Sequence, residues 1–354
     1  MSSIAVKRAE TLGQHFTTSS LKNRGWPAWS LAVILVVFYI VLYYSELFNK
    51  VMDPIFHGKA DKWTLYGFLY TVAVLWGGIV FILKNKRSRY QIIRTSVIMC
   101  SQVVLAFFIP TFMRMLGTKD FYFSYLWPLK IEYLYPNVIF SYPLPIVFYS
   151  FLMSLIVFPL LAFFFGKRFY CSWICGCGGL ANTFGDPWRH LSTKTKRAWK
   201  FEVISIHSTL VFALFATAVM IINWGIGQNY PRFAQLAWKV QSVYGFVVGF
   251  FLAGMAGVAL YPLMGTRVWC RFFCPMAALL GLIQRIGWFH IASQGELCIA
   301  CGNCSKYCEM GIDVRAYAMK GEDFTRASCV GCGMCAHVCP RGVLKLEIQK
   351  KTAF

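Results

Sequence analysis

The sequence predicts a polytopic α-helical membrane protein of about six transmembrane helices that ends in a small α+β unit rich in cysteine. Three observations predict it. The 354 residues are 58% hydrophobic and only 14% charged, too apolar a balance for a soluble chain of this length. Six apolar stretches recur, each close to the roughly 20 residues a hydrocarbon core requires. Eight of the fourteen cysteines fall between Cys298 and Cys339, in two runs of one spacing.

Residues 1–28 are polar and basic, lack a cleavable signal pattern, and read as a cytoplasmic N-terminal segment. The membrane domain is expected over 29–290, with spans at about 29–44, 63–83, 92–116, 144–165, 203–224 and 243–264. Ser96, Ser101, Gln102 and Pro110 interrupt the third and suggest a helix packed inside the bundle. The aromatic loop after it, with Phe121, Tyr122, Tyr125, Trp127, Tyr133 and Tyr135, reads as an interfacial belt rather than a quinone cleft. Lysine and arginine counts alternate 4, 3, 5, 3, 7, 2 from the N-terminus through the successive loops. That alternation places both termini in the cytoplasm, with the chain in a bacterial inner membrane. The net charge of +21 is then a set of basic loops on one membrane face, and nucleic acid is not an expected partner.

The cysteine-rich end, 291–354, carries the strongest signal. Cys298, Cys301, Cys304 and Cys308 stand at steps of three, three and four, and Cys329, Cys332, Cys335 and Cys339 repeat the pattern. This is the bacterial ferredoxin spacing for two 4Fe–4S clusters, in which the fourth cysteine of each run ligates the other cluster. One cluster is expected on Cys298, Cys301, Cys304 and Cys339, the other on Cys308, Cys329, Cys332 and Cys335. Gly302, Gly331 and Gly333 keep the loops small where backbone approaches a cluster. Zinc needs only four ligands per ion, and disulfides need an oxidising compartment, so neither fits as well. Pro340 follows the last ligand, whereas Glu309 stands where a proline would follow Cys308.

Two further segments match at one fixed offset. Gly166-x-Arg168-x-x-Cys171-x-x-x-Cys175 precedes Leu180, and Gly265-x-Arg267-x-x-Cys270-x-x-x-Cys274-Pro275 precedes Leu279. The match implies two related helix-pair units whose four cysteines meet at a shared membrane-edge mouth. Pro275 suits a first helical position, which puts Cys274 at a helix N-terminus, where the macrodipole favours thiolate. Three readings stand for Cys171, Cys175, Cys270 and Cys274: an additional iron or iron–sulfur site, a pair of redox dithiols, or plain packing. Cys177 breaks the repeat as a spare or replacement ligand, and Cys100 reads as core. Arg168 and Arg267 read as ordinary interfacial arginines ahead of a role beside a cluster or quinone.

Spans, paired membrane-edge motifs at Cys171/Cys175 and Cys270/Cys274, and the twin runs that follow resemble the NapH/NosR family of ferredoxin-type membrane electron-transfer proteins. The resemblance covers about 60–345. It implies a quinol-dehydrogenase-type oxidoreductase subunit that oxidises quinol in the membrane and passes electrons through iron–sulfur centres to a reductase system. The family carries C-x-x-x-C-P twice, and here Gly176 and Cys177 replace that ending in the first copy. The alternative is an assembly factor that reduces a metal ion such as copper for a respiratory oxidase; a redox sensor ranks last, since no output domain stands out. Among the histidines only His207 lies clearly inside a span, which leaves a bis-histidine haem without a second ligand. A basic surface of Lys306, Arg315, Lys320 and Arg326 is expected to dock an acidic redox partner.

Overall fold

The computed structural model describes residues 24–50, 61–227 and 229–349. Among these, six helices are long and apolar enough to cross a membrane: α1 (Trp26–Tyr44), α2 (Lys62–Lys84), α3 (Arg89–Met115), α4 (Leu144–Phe165), α5 (Lys196–Ile226) and α6 (Pro231–Ala259). A shorter apolar helix, α7 (Pro275–Ile286), follows. Side-chain caps set several starts: Asp61 accepts from the Trp63 and Thr64 amides ahead of α2, Ser88 from Gln91 and Thr195 from Ala198. The fifth and sixth helices begin earlier than their apolar stretches. Their first turns are polar, so Arg232 and Lys239 lie in helix rather than loop.

The chain is multi-pass by composition and by surface. Ile34, Ile79, Phe148, Ile156, Val211 and Phe215 are all more than two-fifths exposed on the outside of the bundle, an apolar belt that water would not tolerate. Arg24 donates to the Leu263 carbonyl at 3.1 Å, bringing the start of the described chain to the cysteine-bearing end, as an even number of spans requires. Lys7, Arg8, His15, Lys22 and His57 lie outside the described residues.

α3 departs from regular helix where its sequence is interrupted. Residues Gln102–Phe108 are π-helical, and the Ile109 amide bonds the Val104 carbonyl just before Pro110, which has no amide to give. Ser101 and Gln102 face inward as expected, while Ser96 faces outward. α6 is π-helical over Gly245–Ala259 and packs on α1 through Tyr39, Leu42, Phe250 and Ala259.

The aromatic loop is not an interfacial belt. Phe121, Leu126, Tyr133, Tyr135 and Ile139 are buried, and the loop folds back into the bundle. Its carbonyls find donors there: Tyr170 Oη bonds Ser124 at 2.7 Å, Tyr149 Oη bonds Phe123 at 3.1 Å, and Ser150 Oγ bonds Tyr133 at 2.9 Å. Irregular backbone at membrane depth persists only where protein satisfies it in this way. Composition alone favoured an aromatic girdle; the hydrogen bonds that draw the loop inward come from residues distant in sequence.

The C-terminal unit is small and α+β, as predicted. Strand β1 (Phe289–Ser293) pairs antiparallel with β2 (Leu344–Ile348), Phe289 opposite Ile348 and Ser293 opposite Leu344. Short helices Asn303–Lys306, Val314–Lys320 and Met334–His337 lie between them. One continuous hydrophobic core runs from Phe121 through Tyr170 and Cys270 to Phe289, Cys304 and Leu344. The unit is thus built onto the end of the bundle, and β1 straddles the expected boundary at 290/291.

Candidate functional site

The eight C-terminal cysteines surround two separate hollows. Cys298, Cys301, Cys304 and Cys339 line one, with Ile299 and Arg341. Cys308, Cys329, Cys332 and Cys335 line the other, with Glu309 and Gly333. The loops turn through the left-handed region at Gly302 (φ 78°) and Gly333 (φ 71°), where short helices begin. The Gly331 amide points at Cys329 Sγ, 3.4 Å away. Four sulfurs around one hollow, with amides turned toward them, are a donor set and cradle that fit an iron–sulfur cube. Among the described residues no three His, Cys, Asp or Glu side chains converge tightly enough for a single metal ion, whose ligands would stand closer together than those around a cube.

The second hollow is the inner one, clasped by the bundle. Tyr90 Oη donates to the Gly331 carbonyl at 2.9 Å, Gln91 Nε2 to Cys332 at 3.0 Å, and Ser172 Oγ to Val330 at 2.7 Å. Gln284 Nε2 of α7 reaches the Arg326 and Cys329 carbonyls at 2.8 and 2.9 Å. His337 pairs with Asn85 Oδ1 at 3.0 Å. Each such bond contributes about 1 kcal/mol, and together they fix the inner loop against the spans.

The membrane-edge segments repeat in backbone as well as in sequence. Gly166 and Gly265 both end a helix at positive φ, 69° and 94°, with ψ near extended, a region that only glycine adopts readily. The Cys175 amide bonds the Tyr170 carbonyl and the Cys274 amide the Trp269 carbonyl, both at 2.9 Å. Each second cysteine then caps a helix, Cys175 before Gly176–Asn182 and Cys274 before α7. Cys171, Cys175, Cys270 and Cys274 are all buried.

The two copies differ in their thiols. Cys274 Sγ accepts from the Ala277 amide at 3.4 Å, so the predicted helix N-terminus is there. Even so, burial beside Cys270, Cys171 and Cys175 pushes its thiol well up, against the predicted lowering. In the other copy the adjoining Cys177 thiol, with the Gly178 amide and Arg267, outweighs burial and draws the Cys175 thiol below its usual range. The residue that breaks the repeat thus favours a thiolate beside it.

Arg267 is not interfacial but almost wholly buried. Its Nη1 lies 3.2 Å from the Cys171 carbonyl and 3.6 Å from Cys270 Sγ, and its Nη2 lies 3.0 Å from Glu309 Oε1. Glu309 Oε2 meets Arg189 Nη1 at 2.9 Å, and that nitrogen is 4.0 Å from Cys332 Sγ. Arg94 faces the same group and bonds Asn182 Oδ1 at 3.2 Å. Burial pushes the Glu309 carboxyl up, but the guanidinium groups of Arg189, Arg267 and Arg94 prevail and hold it below the usual carboxylate range. Sequence reading noticed Glu309 only as a missing proline; its partners lie far away in the chain. Arg168 takes a different place, over the Phe289 ring at 4.9 Å.

Inside the bundle, next to these cysteines, lies a cavity of about 390 Å³. Eight tyrosines help to line it, with Gln102, Lys130, Cys177 and Cys270. Tyr122 and Tyr125 of the inturned loop are among them. Of two isolated residues, one is satisfied within its own helix and the other lies outside the expected core. His207 Nδ1 turns back to the Val203 carbonyl at 2.6 Å within its own helix, and Cys100 is exposed on the outside of α3 rather than in the core.

Comparisons with known proteins bear on both parts. A family model described as a 4Fe–4S dicluster domain matches residues 297–344. A second, described as a 4Fe–4S binding domain, matches twice, at 147–200 and 247–292, once over each membrane-edge segment. The chain is similar to the putative electron transport protein YccM of Escherichia coli (strain K12), 25% identical over 48% of this chain and 49% of that one. It is also similar to the methylamine utilization ferredoxin-type protein MauN of Methylobacillus flagellatus, 26% identical over 41% of this chain and 50% of that one. The uncharacterized protein MJ0749 of Methanocaldococcus jannaschii is 24% identical over 46% of this chain and 59% of its own. The chain spans about half the length of the curated relatives it matches. No solved structure matches it.

Proposed function

We propose that this chain carries electrons between membrane quinone and a partner redox protein through two 4Fe–4S clusters, in the manner of NapH/NosR-type proteins. Cys298, Cys301, Cys304 and Cys339 would hold the outer cluster; Cys308, Cys329, Cys332 and Cys335 the inner. When bound, the clusters supply one-electron transfer. The observation that carries the reading is the inner four-cysteine hollow, hydrogen-bonded directly onto the spans beside the membrane-edge cysteines. Electron-transport and ferredoxin-type names among the similar proteins support it.

In this reading the membrane unit covers 29–290 and the cluster unit 291–354, in a bacterial cytoplasmic membrane with both termini cytoplasmic. The chain's own residues bind and position: Glu309 and its arginines hold the inner cluster against the bundle, and Arg267 ties that junction to Cys270 and the Cys171 carbonyl. Cys171, Cys175, Cys270 and Cys274 are candidates for a further iron or iron–sulfur centre. Arg326, stacked 5.2 Å over Trp199, and Lys320 belong to the basic face offered to a partner.

Anaerobic purification with iron and sulfide analysis and EPR tests the assignment. About eight irons are expected from two cubes, with reduction by menaquinol or ubiquinol in membranes. Serine at all four membrane-edge cysteines should lower the iron count if they hold a centre, and leave it at eight if they do not. A colourless, iron-free preparation, or clusters that quinol never reduces and that never reduce quinone, would overturn the relay.

A further inference from the structure

The intramembrane cavity has walls that do not suit a lipid tail. It is bounded by apolar helix faces, yet eight tyrosines and a glutamine also line it. Gln102 gives its amide Nε2 to Thr71 Oγ1 at 3.2 Å, but its Oε1 is buried without a partner. Tyr244 Oη, on the opposite helix α6, is likewise buried and unpartnered. Two such atoms beside hydrocarbon would each cost on the order of 1–3 kcal/mol, so the site calls for a ligand with polar atoms.

The helices are distorted where they face this space. Gln102 opens one π-helical stretch, Tyr244 immediately precedes another, and Cys270 lies in a third, Trp269–Phe273. π-helical turns concentrate at functional sites, since each costs the helix a regular bond. The inturned loop adds Tyr125, whose hydroxyl lies against Gly176 so closely that a side chain there would collide with it. Cys177 and Cys270 line the same space and connect it to the membrane-edge sulfurs.

We infer that this cavity binds the headgroup of a quinone or quinol, with Gln102 Oε1 accepting from a ring hydroxyl and Tyr244 Oη bonding a ring oxygen. The inference rests on the quinone relay proposed above and adds its site. A flat ring with two oxygens suits a space whose apolar walls also carry the polar side chains of Gln102 and Tyr244. The volume lies within the 300–1,000 Å³ range of small-molecule pockets. A haem is a poor alternative: among the described residues no histidine lines the space.

The test uses the full chain in lipid nanodiscs and the quinol analogue 2-heptyl-4-hydroxyquinoline N-oxide, followed by its fluorescence. Tyr244→Phe removes only a hydroxyl that bonds nothing in the protein; it should weaken binding about three- to tenfold, the worth of one hydrogen bond, with cluster EPR unchanged. Gln102→Leu should weaken it at least as much. Gly249→Phe should abolish it, because a Cβ at Gly249 meets nothing within 4 Å and the ring would fill the cavity that Gly249 lines. Wild-type affinity in all three variants would sink the site. So would menaquinol reducing the clusters of Gly249→Phe at the wild-type rate, which leaves the relay standing and moves the quinone elsewhere. Analogue binding lost in these variants while menaquinol fails to reduce even wild-type clusters would keep the site and defeat the relay.

Discussion

The two hollows share one cysteine spacing and differ in what surrounds them. Cys308 is followed by Glu309, wholly buried between Arg189 and Arg267, whereas Cys339 is followed by the exposed Pro340. The inner hollow has bundle residues bonded to its loop; the outer has Leu297 and Ile299 beside it, about half exposed. The spacing decides which atoms can grip a cluster. The residue after the fourth cysteine decides which hollow is pinned to the membrane unit and which faces outward.

Four substitutions break or sharpen that contrast. Glu309→Ala should be the most damaging, because it strands two buried guanidinium groups, a loss of about 3–5 kcal/mol. Pro340→Ala should stay within about 0.5 kcal/mol, as surface changes do. Thermal unfolding in detergent, read with iron retention, compares them, and equal losses would erase the distinction. Next in size is Arg94→Gln. Arg94 is buried with Nε and Nη2 lacking a hydrogen-bond partner, and its charge acts on Cys332 and Glu309 of the inner hollow. Removing that charge disfavours the added electron, and the inner cluster's midpoint should fall by about 59 mV, a tenfold change in its reduced-to-oxidised ratio. The outer cluster should not move in the same EPR titration; a shift of both would mean the field is shared. A smaller loss at the inner hollow is expected from Tyr90→Phe, which gives up the bond to the Gly331 carbonyl, about 1 kcal/mol. Hydrogen exchange should rise in the segment around Gly331 and stay unchanged around Gly302.

Much of this architecture was legible in the residues. Six apolar runs became six helices, and the eight C-terminal cysteines line two hollows, four to each. The repeated Gly-x-Arg-x-x-Cys pattern could be read because each glycine must hold the same positive φ to leave its helix. What escaped was settled by contacts across the chain. Phe121 and Tyr133 looked like a belt because aromatic composition is the same whether rings face lipid or stack on each other, as these two do at 4.3 Å. Arg267 looked interfacial because nothing nearby in sequence announces Glu309. The helix start at Cys274 was foreseen correctly, yet its thiol is governed by burial, a property of the folded bundle alone.

The clasp around Val330, Gly331 and Cys332 bears on inheritance and engineering. A carboxyl-terminal piece cut free at β1 would bare three carbonyls now bonded by Ser172, Tyr90 and Gln91, and would leave Glu309 without its counter-ions. Such a fragment makes a poor free-standing carrier. Grafts between relatives should succeed only when donor and recipient exchange the helical partners together with the tail.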